Sequence, residues 1–227
     1  MNLITKLAVL DKIYRIYDDF AGTLDIACRR YCSLCCTVNV TMTTLEGRKI
    51  AESLIPVGKR YLFEKIRFAS SLQRFRPRET INMLAELCLE EGGDLPEEDN
   101  AFPGECPLLI DNECTVYNER PFGCRCFISK QNCAESGSAT VDDFVLTVNN
   151  IFLQVIEHVD AGGGSGNLTD VLLFLENAEN RVNLLSSKMI NPSSVLIKNH
   201  HLKILMIPPE HREEAQPILD ALNKLKY

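Results

Sequence analysis

The stretch Cys28-Arg29-Arg30-Tyr31-Cys32-Ser33-Leu34-Cys35-Cys36 constrains this chain more than any other. It sets four thiols within nine residues. A second group follows at Cys106, Cys114, Cys124, Cys126 and Cys133, and only Cys88 stands apart. Thiolates are soft ligands suited to zinc and to iron–sulfur clusters. The expectation is that the two groups form one metal or iron–sulfur site with ligands drawn from Cys28, Cys32, Cys35, Cys36, Cys106, Cys114, Cys124, Cys126 and Cys133. A closed zinc site takes four ligands, and the common clusters also take four cysteines. These thiols therefore exceed one such site. Either two sites exist, or some thiols are spare, structural or redox-active.

The first group has a competing explanation. Its positions, i, i+4, i+7 and i+8, would also share one face of a helix. A regular helix would set Cys28 and Cys35 about 10 Å apart along its axis. Bonds of about 2.3 Å from zinc to sulfur cannot bridge that from both ends. If these thiols share a centre, the segment bends or only a subset ligates. Arg29, Arg30, Arg120 and Arg125 adjoin cysteines and could balance the charge of about -2 on a zinc bound by four thiolates.

The compartment follows from the thiols. Residues 1–20 carry Asp11 and Lys12 inside the apolar run and do not read as an export signal. No run approaches the ~18 apolar residues of a membrane span. A cytosolic location is expected, where ten cysteines serve as ligands or redox groups. Five disulfides would be the alternative for an exported chain. The net charge of -7 gives no basic footprint for nucleic acid, and neither nucleic acid nor membrane is an expected partner. The expected partner is a metal ion or cluster; the sequence names no protein partner.

The expected fold is mainly α with a small β-hairpin, an irregular cysteine-rich metal-binding core being surrounded by helices. One domain, 1–227, would hold the cysteine core at about 25–135 and a C-terminal helical lobe at about 141–227. Apolar spacing predicts a helix over 3–20. Val38 and Val40 suggest an extended segment, and Thr43 with Glu46 a capping box for a helix over 45–54. Further helices are expected over 58–75 and 79–91, with Cys88 buried and the basic residues of 59–78 solvated. Residues 92–99 read as an acidic loop. Residues 106–110 and 114–117 read as a hairpin turning at Asp111-Asn112. Cys124 and Cys126 fall on a tight turn or short helix. Helices are expected over 141–159, from Thr169 to about 185, and over 209–225, with a strand over 202–207. Residues 162–166 read as a turning connector.

Several separated motifs occur together: Cys28, Cys32, Cys35-Cys36, then Cys106-Pro107-Leu108-Leu109, Cys114-Thr115-Val116-Tyr117 and Arg120-Pro121-Phe122-Gly123-Cys124-Arg125. In this order they resemble the YkgJ-type cysteine-cluster (CxxCxxCC) family, a zinc- or iron-chelating domain, over about residues 25–128. The resemblance implies that Cys28, Cys32, Cys35, Cys36, Cys106, Cys114 and Cys124 are the family's cysteine positions. The three-residue first spacing departs from that core, and Cys126 and Cys133 lie outside the shared pattern. Some relatives are flagellin lysine methylases, so the resemblance identifies a site more than an activity.

Two enzyme readings stand beside the metal-binding one. Cys28, Cys32 and Cys35 have the spacing of a radical-SAM triad, but the chain lacks the strand–helix alternation of a βα barrel. Asp160-Ala161-Gly162-Gly163-Gly164-Ser165-Gly166 resembles the glycine loop of SAM-dependent methyltransferases, with Gly162, Gly164 and Gly166 as candidate cofactor contacts. The function expected is thus a cysteine-ligated zinc or iron–sulfur centre. The alternative is an iron–sulfur-dependent redox or SAM-dependent methyl-transfer enzyme.

Overall fold

The computed structural model describes residues 1–55, 58–90, 102–185 and 195–225. The chain is mainly helical, with small antiparallel sheets. Helix α1 (Leu3–Ala21) starts where the Asn2 side chain accepts the Thr5 N–H. Its buried face, including Leu10, Ile13, Tyr14 and Tyr17, meets α7 (Asp143–Val159). These two helices and α10 (Arg212–Asn223) share one apolar cluster.

A second cluster forms around α2 (Thr44–Leu54), α3 (Tyr61–Ser70) and α8 (Leu168–Glu176). Residues after 141 thus divide between both clusters. Helix α4 (Ile81–Glu90) packs on α7. Its Cys88 is half-buried, where full burial was expected.

The capping box forms: the Thr43 hydroxyl accepts the Glu46 N–H, and the Glu46 carboxylate accepts the Thr43 N–H. Just before it, β1 (Thr41–Thr43) pairs antiparallel with β4 (Gly164–Asn167). Strand β4 in turn pairs with β5 (Ile197–Lys198), so the sheet order is β1-β4-β5. The glycine-rich segment, expected as a turning connector, therefore supplies the central strand. A Cβ at Gly164 would lie 3.1 Å from the Ile197 carbonyl oxygen, and one at Gly166 2.7 Å from Leu196 Cδ2. Glycine lets the neighbouring chain approach this closely.

Other boundaries differ from the sequence expectation for local reasons. Helix α3 stops at Ser70 rather than Phe75. Beyond it Arg74 turns inward and pairs with the buried Asp170, so this member of the basic run is not solvated. The Asn167 side chain, not Thr169, caps α8. The expected helix to 185 breaks at Asn177 (ψ 124°) and resumes as α9 (Ala178–Leu185). Residues 202–207 form no strand. Buried Gln154 on α7 satisfies that backbone instead: its amide donates to the Ile204 carbonyl at 2.7 Å and accepts the Met206 N–H at 2.9 Å. The last helix begins as a single 3₁₀ turn at Pro209–His211. The expected acidic loop, 92–99, lies outside the described residues.

The hairpin is β2 (Leu109–Ile110) with β3 (Glu113–Cys114). Both turn residues, Asp111 and Asn112, have positive φ (51° and 62°). A two-residue turn of this kind suits the twist of a hairpin, and Asp and Asn tolerate the left-handed region. Two short helices complete the fold, α5 (Phe122–Arg125) and α6 (Cys133–Ser136). Among the described residues no helix is long and apolar enough to cross a membrane.

Candidate metal centre

Residues Cys28–Cys36 are not helical, so the helix-face explanation of their spacing does not hold. The chain reverses repeatedly: Cys32 N–H donates to the Arg29 carbonyl, Cys36 N–H to Ser33, and Thr37 N–H to Cys35. Tyr31 sits at φ 74°, in the left-handed region that few residues other than glycine adopt. At its start the loop is anchored by Ala27 N–H donating to Ser129 at 2.8 Å.

The same loop is stitched to the second cysteine group. Cys106 N–H donates to the Cys36 carbonyl at 3.0 Å, and Thr37 bridges Glu105. Ser33 Oγ bonds Asn112 Oδ1 at 2.8 Å, and Arg30 forms an ion pair with Glu113. The loop therefore lies across the β2–β3 hairpin.

These connections enclose a cleft of about 170 Å³. Its walls include Cys28, Cys32, Cys35, Cys36, Cys106, Cys114 and Cys124, seven thiols from four separated segments. The same walls carry Arg29, Arg30, Arg120 and Arg125. Sequence reasoning missed the apolar lining of Ile26, Val40, Leu109, Phe127 and Ile128. None of these carries a chemical signal of its own.

Cys126 and Cys133 lie outside that lining. Cys126 packs against the α1–α7 cluster, with Sγ 3.7 Å from the Gly123 carbonyl oxygen. Cys133 opens α6, with Sγ 3.9 Å from the Gln131 carbonyl oxygen. All ten cysteines are free thiols. Among the described residues no three His, Cys, Asp or Glu side chains are already gathered closely enough to hold an ion.

Burial governs the protonation of the deeper thiols. Cys106 is pushed up to about 11 and Cys124 well above the usual thiol range, both chiefly by desolvation. Burial also raises Cys28 and Cys114. Cys35 goes the other way, to about 6, because the Cys36 thiol donates a hydrogen bond to it. Cys36 is correspondingly raised. Ligation by the deep thiols must displace their protons.

The position of Cys124 depends on Glu46. This carboxylate is 3% exposed and accepts from Tyr14 OH at 2.8 Å and from Phe122 N–H at 2.7 Å. The capping box was legible in sequence; its link to the start of α5 was not. Phe122 is fully buried, stacking on Phe152 at 5.5 Å and meeting Tyr17 edge-on at 4.7 Å. A Cβ at Gly123 would lie 2.8 Å from the Thr41 carbonyl oxygen. The Phe122-Gly123-Cys124 run therefore has one residue filling the core, one permitting close approach and one facing the cleft.

The arginines are held in different ways. Arg125 lies over the Tyr14 ring at 4.2 Å and pairs with Asp18. Arg120 stacks over Tyr117 at 4.0 Å and lowers the cost of ionising Cys114.

The glycine segment is built for packing. Gly164 and Gly166 lie in β4, while Gly162 has φ 92° at the preceding turn. Asp160, 3% exposed, binds the Thr44 hydroxyl at 2.7 Å, Leu45 N–H at 3.1 Å and Asn199 Nδ2 at 2.9 Å. Its carboxylate thus holds the start of α2, and a Cβ on Gly163 would lie 2.5 Å from it. These contacts account for the segment's aspartate and glycines by internal packing.

Comparison with family models, curated proteins and solved structures finds no match for the chain.

Proposed function

We propose that this chain is a metal-binding protein whose cysteine cleft takes zinc or an iron–sulfur centre. The observation that carries the reading is the convergence of seven thiols from four chain segments on one cleft with four arginines. The donor set suits a soft or borderline metal, and the arginines suit the negative charge of a thiolate centre. Cys28, Cys32, Cys35, Cys36, Cys106, Cys114 and Cys124 are the residues that would hold it. Zinc would fasten the loop to the hairpin, and an iron–sulfur cluster would add electron transfer. The seven thiols are also the positions that the YkgJ-type resemblance implies. A reducing compartment, the cytosol, keeps them available.

Anaerobic purification followed by metal and acid-labile sulfide analysis tests this reading. Stoichiometric zinc supports a structural or storage centre. Iron with sulfide supports the cluster and reopens redox or methyl-transfer chemistry. Retention of neither metal under reducing conditions overturns the reading.

A further inference from the structure

Residues 199–208 form neither helix nor strand, yet they lie along α7, and Leu202, Leu205 and Ile207 pack on the α1–α7–α10 cluster. Side chains of α7 hold this strap by its main chain. Glu157 accepts the His200 N–H at 2.6 Å, and His158 Nδ1 accepts the Leu202 N–H at 3.1 Å. Gln154 holds the far end through the Ile204 carbonyl and the Met206 N–H. The middle anchor differs from the last, because it rests on an imidazole lone pair that takes a proton near neutral pH. A neutral imidazole has one donor and one acceptor nitrogen. With Nδ1 accepting, the ring proton of His158 sits on Nε2. A second proton enters at Nδ1 and removes the lone pair that Leu202 uses.

The groups around His158 do not favour that charge. His201 Nδ1 stands 3.4 Å from the same nitrogen, and the two rings meet edge-on at 5.3 Å. From α1, Lys6 donates to the Ala161 carbonyl at 3.1 Å and acts on His158 as a second cation. The nearby carboxylates are engaged elsewhere. Glu157 accepts from Asn82 and His200, and Asp160 binds Thr44, Leu45 and Asn199. Glu86 of α4 pairs with Lys203 and lies by His200. We propose that His158 is a proton-operated latch on the strap: protonation at Nδ1 breaks the Leu202 anchor and frees the chain at His201 and Leu202, between the anchors at His200 and Ile204. Freed, Leu202 leaves the apolar cluster and uncovers its place on α7. The latch does not depend on the metal-binding reading. Burial, His201 and Lys6 hold His158 below the ordinary histidine value. The folded chain thus resists this proton, and the latch is closed at neutral pH and opens as pH falls. The sign is opposite to that of a buried carboxylate with a raised value.

The test is amide hydrogen exchange of the reduced full-length chain by NMR at about pH 7.5 and about pH 5, either side of the ordinary histidine value. Rates are corrected for the intrinsic effect of pH. Protection of the Leu202 amide is expected to fall at least about tenfold at the lower pH, which is about 1.4 kcal/mol. Met206, held by the neutral Gln154, should keep its protection. The imidazole nitrogen shifts of His158 should titrate with the same midpoint as the loss at Leu202. In His158→Asn, an acceptor that takes no proton replaces Nδ1, and Leu202 should stay protected at both values. Unchanged protection of Leu202 in the unsubstituted chain overturns the latch. An equal loss at Met206 also overturns it, since that is general unfolding. Loss at Leu202 with a midpoint away from that of His158, or persisting in His158→Asn, removes His158 as the sensor.

Discussion

The main-chain N–H of Cys106 donates to the carbonyl of Cys36 at 3.0 Å. This bond joins the two cysteine groups before any metal is considered. It aligns the end of the turning loop with the segment entering the hairpin, and the thiols of both then face one cleft. The cleft is composite because the backbone makes it so.

Substitution of thiols should follow the cleft and not the cysteine count. Cys35→Ala and Cys124→Ala should each lower metal content in anaerobically purified protein. Cys88→Ala should leave it unchanged, since Cys88 lies on α4 away from the cleft lining. Metal analysis reads the difference; full occupancy in both of the first two variants would separate the thiols from the centre.

Glu46→Ala should destabilise the fold by about 2–4 kcal/mol, because Tyr14 OH, Thr43 and Phe122 N–H lose a shared buried acceptor. Urea denaturation measures the loss. Metal occupancy should fall with it, since the Phe122 contact sets the start of the helix that carries Cys124.

Gly123→Ala should cost about 1–3 kcal/mol by overpacking. The obstructing atom is the Thr41 carbonyl oxygen at 2.8 Å, part of the paired strand β1. Gly137→Ala differs in kind: its Cβ would meet nothing within 4 Å, and only the positive φ of 76° opposes it. Thermal melting should show the larger drop for Gly123→Ala, with α5 displaced.

The pH dependence should carry the mark of Asp160. Burial raises its folded value from 3.8 to about 7. Between those values the folded chain holds a proton that the unfolded chain has released. Stability from this group is therefore full below about 4, declines as pH rises to about 7, and levels off above. The span is on the order of a few kcal/mol. Asp160→Asn should flatten the decline in denaturation midpoints between pH 4 and 7. An unchanged slope would remove Asp160 as its source.

Local chemistry made much of this legible in sequence. The Asp111-Asn112 turn, the Thr43–Glu46 box and the helical spacing of 3–20 each act over a few residues, so the chain states them directly. The glycine run at 162–166 misled because glycine permits both a turn and a close strand approach. Its pairing with β1 on one side and β5 on the other, both distant in the chain, selects the strand. Residues 202–207 misled for the same reason: their backbone partner is the side chain of Gln154.

By itself, the sequence determined the side-chain chemistry: soft thiols in two groups, with arginines beside them. The tertiary structure decided which thiols line one cleft. It turned the Cys28–Cys36 spacing into a bent loop, laid that loop on the hairpin, and left Cys126 and Cys133 outside the cleft lining. The physical reason is that ligand type is a property of each side chain. Convergence depends on hydrogen bonds and packing between segments distant in the chain, such as Cys36 with Cys106 and Glu46 with Phe122.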